Sequence, residues 1–109
     1  MPAERLTYHS RREQASEALR ARGIAALLLS PSSDLAYLAG YRVHTSERLT
    51  CLVVGADGGA TLLVPELESP RAKAAAPDLT QRTWSETDDP YALVASLVTE
   101  KGDVAVADQ

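Results

Sequence analysis

A chain of 109 residues with 45% apolar content is a single globular domain with a modest core, able to bury roughly 65% of its unfolded surface. With no Phe, one Trp and four Tyr, that core has to be built from Leu, Val, Ile and Ala. Eleven basic against fifteen acidic residues leave a formal charge of −4, which excludes a general nucleic-acid binder, and no apolar run approaches the ~20 residues that span a bilayer.

Met1-Pro-Ala-Glu-Arg-Leu6 lacks the apolar stretch of a secretory signal, so a cytoplasmic protein is the expectation. Thr7 to Arg22 reads as a helix, capped either by Thr7 or by Ser10 with Glu13 as a capping box. Tyr8, Arg12, Ala15 and Leu19 fall on one face of it, an Ala-rich stripe suited to close packing on a sheet. Arg11, Arg12, Arg20 and Arg22, with Glu13 and Glu17 nearby, read as a solvated face laced with ion pairs. Gly23 stops the helix, and Ile24–Leu29 is continuously apolar, as in a strand buried on both faces.

Ser30-Pro-Ser-Ser33 ends that strand. Ser32 or Ser33 caps a short helix to Ala39, and Gly40 supplies the left-handed residue that closes it. A polar loop to Arg48 follows. Leu49–Val54 and Ala60–Val64 then form a hairpin around the turn Ala56-Asp-Gly-Gly59, and Pro65 breaks its second strand. The hairpin's Cys51 is the one cysteine, so no internal disulfide can form, and its place in an apolar run suits a buried, inert thiol. Glu66–Ala76 is a helix that either begins near Ser69, with Pro70 in its first turn, or is kinked there. Thr80–Trp84 has the polar alternation of an edge strand. Asp89 caps a helix with Pro90 at its first position and Leu93, Val94, Leu97 and Val98 on its apolar face. Gly102 precedes a last strand over Val104–Ala107.

The order α-β-α-β-β-α-β-α-β predicts an α/β fold, a mixed sheet with helices on both faces. Its core should hold Leu27, Leu28, Leu52, Val53, Leu63, Leu93 and Leu97. The last strand begins at the end of the sequence with nothing to cover it, so a fragment of a longer protein is expected.

The residues offer no self-sufficient active site. His9 and His44 stand apart, with no His-x-x-x-His, Cys-x-x-Cys or His-Glu-x-x-His spacing to hold a metal. Asp88 and Asp89 diverge as chain neighbours and fit a cap better than a carboxylate pair. Ser46 and Cys51 lack a nucleophile elbow, and Gly55, Gly58 and Gly59 lie in a hairpin instead of a phosphate-cradling strand-to-helix turn. One segment is chemically rich: Tyr41-Arg-Val-His-Thr-Ser-Glu-Arg48. Tyr41, Arg42, His44, Glu47 and Arg48 could read a carboxylate or a peptide backbone through charge-assisted hydrogen bonds, and the loop is expected to be exposed. A solvated loop without function accounts for the same composition.

Four stretches, Ala18-Leu-Arg-Ala-Arg-Gly-Ile-Ala-Ala-Leu-Leu-Leu29, Tyr37-Leu-Ala-Gly40, Ala56-Asp-Gly58 and Leu62-Leu-Val-Pro65, recur in an order and spacing that resembles the N-terminal domain of the creatinase/prolidase/aminopeptidase P family. The resemblance covers nearly the whole chain. It implies a mixed-sheet domain with a ribonuclease H-like motif, joined to a C-terminal "pita-bread" catalytic domain. In the family's peptidases that second domain binds two divalent metal ions through two Asp, one His and two Glu, and the ions activate water at the bond before proline. None of that domain lies in this sequence, so no catalytic or metal-ligand residue carries over, and the chain alone needs no cofactor.

The resemblance also implies that the loop Tyr41–Arg48 approaches a substrate cleft of its own or a neighbouring subunit. Arg48 matches the position where creatinase-like members offer an arginine to a substrate carboxylate. Tyr41 matches the aromatic that follows Tyr-Leu-x-Gly, while His44 and Glu47 have no fixed counterpart. The implied partners are the chain's own catalytic domain, a second copy in a homodimer, and proline-containing peptides. An Xaa-Pro dipeptidase or aminopeptidase is the expected parent. A free-standing binding module and a creatinase-type amidinohydrolase, which uses no metal, are the alternatives.

Overall fold

The computed structural model describes residues 3–43, 48–99 and 101–107. Helix α1 (Ala3–Arg22) leads into β1 (Ile24–Leu29), α2 (Ser33–Ala39) and a hairpin of β2 (Cys51–Gly55) and β3 (Ala60–Pro65). A 3-10 turn, Glu66–Glu68, runs into α3 (Ser69–Ala75), followed by β4 (Thr80–Trp84), α4 (Pro90–Leu97) and β5 (Asp103–Ala107). The expected element order therefore holds.

Local chemistry settles the open boundaries. α1 starts at Ala3, which puts both proposed caps, Thr7 and Ser10, inside the helix. The preceding Ala-Glu-Arg-Leu run favours helix, and Arg5 gains buried partners there. Ser32 is the cap of α2, its Oγ accepting from the Leu35 N–H at 3.1 Å. Gly40, at φ +69°, closes α2 with its N–H on the Ala36 carbonyl at 2.8 Å. Pro70 lies in the first turn of α3, where a missing N–H breaks no helical bond. Asp89 caps α4 by accepting from the Tyr91 and Ala92 N–H groups at 3.0 and 3.3 Å.

The five strands lie in the order β4-β3-β2-β1-β5. β2 is antiparallel to both neighbours, whereas β1 with β5 and β3 with β4 are parallel. Four strands thus end at one edge of the sheet, the edge where the chain enters β2. Register pairs Leu29 with Leu52 and Leu52 with Leu62 on one face, and Leu28 with Val53 and Cys51 with Leu63 on the other. The first face is roofed by α1, α2 and α3 through Leu19, Leu35, Leu38, Ala72 and Ala76. The second meets α4 through Val94.

The observed burial corrects the expected core. Leu52, Val53 and Leu63 are buried, but Leu27, Leu28, Leu93 and Leu97 are only half-buried. A single eight-residue helix cannot cover the second face out to β5, where Val106, the partner of Leu28, is 68% exposed. β1 is therefore not buried on both faces along its whole length.

Candidate functional site

In open α/β sheets the carboxyl ends of the strands form a crevice that commonly takes ligands. Here the ends of β3 and β4 and the approach to β2 enclose a depression of about 400 Å³ lined by Arg48, Glu66, Leu67, Trp84, Ser85, Glu86 and Thr87. Trp84 organises it: its Nε1–H donates to the Leu49 carbonyl at 2.9 Å and ties the approach of β2 to the end of β4. The next turn is held by Asp88, whose Oδ2 accepts from the Ser85 N–H at 2.9 Å. Arg48 donates from Nη2 to Glu86 at 2.8 Å, an ion pair of half-exposed and exposed side chains. A guanidinium, a carboxylate and the exposed Leu67 side by side can hold the charged and apolar parts of a peptide end. Among the described residues no group of three or more His, Cys, Asp or Glu could hold a metal ion.

The structure separates the residues grouped by the sequence. Arg48 lies in this depression. Arg42 is exposed and lines a different one, between α1 and α2. Tyr41 does not belong to an exposed loop: it is 3% exposed and packs into the larger core cluster. Burial first, and then the negative charge of Glu68, holds its phenol above its ordinary pKa. His44 and Glu47 lie outside the described residues.

The sequence reading missed a buried charge cluster between α1 and the approach to β4. Arg12, far from lying on the expected solvated face, is buried with Arg5, Ser16 and Leu19 on one stripe of α1. Arg5 Nε and Arg12 Nη2 donate to the two oxygens of Asp78 at 2.5 and 2.6 Å. Burial alone would raise the pKa of that carboxyl, but the hydrogen bonds from Arg12 and Arg5 outweigh it and hold it below the usual carboxylate value.

The same arginines close the carboxyl end of α2. Arg11 reaches the Tyr37 carbonyl at 3.0 Å, Arg12 the Leu38 carbonyl at 2.9 Å and Arg5 the Ala39 carbonyl at 2.6 Å. Three cations on three successive carbonyls satisfy orphan acceptors and complement the negative end of the helix dipole. Arg20 reaches the Ala56 carbonyl, and Glu13 pairs with His9, not with an arginine. The spacing 5, 12, 16, 19 carried the signal: two charges on a buried helical stripe require a carboxylate elsewhere in the chain.

Residues 11–109 match the family model described as the Creatinase/Prolidase N-terminal domain. The probable dipeptidase PepE of Mycobacterium tuberculosis is 40% identical over 94 residues, which make up 84% of this chain and 25% of that protein. The crystal structure of dipeptidase PepE from Mycobacterium ulcerans matches with a TM-score of 0.81 at 40% identity, over 90% of this chain and 27% of that one. The N-terminal domain of an Xaa-Pro dipeptidase from Lactobacillus brevis shares the fold, with a TM-score of 0.79 at 23% identity over 88% of this chain and 75% of that one. The chain spans about a quarter of the length of the curated relatives it matches.

Proposed function

This chain belongs to the creatinase/prolidase N-terminal domain family, and from that premise we propose that it is the non-catalytic N-terminal domain of an Xaa-Pro metallopeptidase. The observation that carries the reading is the family match over residues 11–109, combined with 40% identity to dipeptidases of which the match covers 25%. In the parent, the loops at the carboxyl ends of the strands wall the substrate cleft and limit substrate length, and the domain supports a homodimer. Arg48 holds a substrate carboxylate by two parallel hydrogen bonds, and Glu86 orients its guanidinium until the substrate arrives. The parent's two divalent ions are held by the catalytic domain that follows, as the family resemblance implies.

The first test reads the coding sequence that follows Gln109. An Asp…Asp…His…Glu…Glu set supports the peptidase, and a catalytic domain lacking those ligands points to the creatinase type. The second test is Arg48→Ala in the longer enzyme. The expected result is a loss of kcat/KM equivalent to about 1–3 kcal/mol, the scale of a charged hydrogen bond, with the melting temperature unchanged. Unaltered kinetics remove Arg48 from the cleft. The 109-residue chain alone is expected not to hydrolyse Ala-Pro with added manganese, cobalt or zinc, and turnover above a heat-killed control would refute its non-catalytic role.

A further inference from the structure

The groove between α1 and α2 holds a second depression of about 400 Å³, apart from the one at Arg48. Its lining includes Tyr8, Arg11, Ala36, Tyr37 and Arg42 and, among the described residues, no acidic one. In a protein of charge −4, a concave surface with two guanidiniums and no carboxylate is a local reversal of the overall field. Arg11 is held in place: its guanidinium lies 4.0 Å from the centre of the Tyr37 ring and 5.2 Å from that of Tyr8. One of its N–H groups goes to the Tyr37 carbonyl, so capping of α2 accounts for one donor of the five a guanidinium offers. Capping accounts for none of Arg42, which is exposed and has no ion-pair partner among the described residues. The exposed Tyr37 ring and Ala36 supply an apolar wall beside these charges.

We propose that this groove is a binding site for a small carboxylate with a planar apolar body. The carboxylate sits between Arg42 and the remaining donors of Arg11, whose fork geometry matches two oxygens. The body rests against Tyr37 and Ala36. The volume lies within the roughly 300–1,000 Å³ of small-molecule pockets. The inference stands on the groove alone and does not depend on the parent enzyme's activity.

The test is a ¹H–¹⁵N NMR titration of the 109-residue chain with benzoate, and with benzamide as the neutral analogue of the same shape. Benzoate should give saturable shifts centred on Tyr8, Arg11, Tyr37 and Arg42, and benzamide should bind at least about fivefold more weakly, as expected for the loss of a charged hydrogen bond in a partly solvated site. Arg42→Gln should weaken benzoate by a similar factor without moving the melting temperature. Because Arg11 also caps α2, Arg42→Gln is the deciding variant. Absence of saturable benzoate binding, equal affinity for benzamide, undiminished binding by Arg42→Gln, or shifts centred on Arg48 and Trp84 would each overturn the assignment.

Discussion

Replacing Asp78 with Asn removes one negative charge from between two buried positive ones while keeping the side chain's shape. The side chains of Arg5, Arg12 and Asp78 are 6%, 6% and 3% exposed, so water screens the cluster little. Breaking a buried ion pair from one side costs about 3–5 kcal/mol, because the remaining charge stays buried without compensation. Two features hold this case near the lower bound. Each guanidinium keeps a bond to a carbonyl of α2, and the Asn oxygen still accepts one of the two lost bonds. The expected cost is therefore about 3 kcal/mol, against a total stability on the order of 5–15 kcal/mol for a domain of this size. The melting temperature should fall by roughly 10–20 °C.

Urea unfolding followed by far-UV circular dichroism reads this directly, and pH supplies an independent check. The carboxyl of Asp78 titrates below its ordinary value in the folded chain, so its contribution is fully present above the unfolded pKa of about 3.9. That contribution is lost as pH falls through the lower folded value. The gap between the native chain and Asp78→Asn should accordingly be widest near neutrality and close on acidification below about pH 4. A difference under ~0.5 kcal/mol near neutral pH, the level of ordinary surface substitutions, or a gap that does not close in acid, would refute the reasoning.

The half-exposed Arg48–Glu86 pair provides the contrast: Glu86→Gln should cost less than ~1 kcal/mol in the same urea assay, since solvent screens the charges and side-chain entropy opposes holding them together. Leu29→Ala should cost about 3–5 kcal/mol, Leu29 being 1% exposed on the face roofed by three helices, and Leu28→Ala roughly half as much because its face is open toward β5. Gly40→Ala should destabilise by about 2 kcal/mol or more, because L-residues resist its φ of +69° and a Cβ there would collide with Arg5 and stand 2.7 Å from the Tyr8 ring. Burial raises the pKa of the Cys51 thiol to about 11, so Ellman's reagent at about pH 8 should label it slowly in the folded chain and at once in denaturant.

Short-range chemistry was legible from the sequence alone. Ser32 and Gly40 bound α2, Asp89 and Pro90 start α4, and Asp-Gly-Gly turns the hairpin, each through groups within a few residues of one another. The mixed sheet followed from helices and strands alternating around one hairpin, and Thr80–Trp84 does lie at a sheet edge, as its polar alternation indicated. The family resemblance singled out Arg48, just before β2, and the tertiary structure adds the depression around it.

Contacts between distant segments decided the rest. Arg5 and Asp78 are 73 positions apart, and nothing local marks Asp78 as the carboxylate that two helical arginines need. Tyr41 follows a helix in a polar stretch, yet it joins the larger core cluster, leaving Arg42 and Arg48 in separate depressions. Leu28 reads like Leu29, but only the packing of α4 over the middle of the sheet decides that one is half-buried and the other fully buried. Backbone geometry is dictated by neighbours along the chain, whereas burial and charge pairing are dictated by whichever elements happen to meet in space.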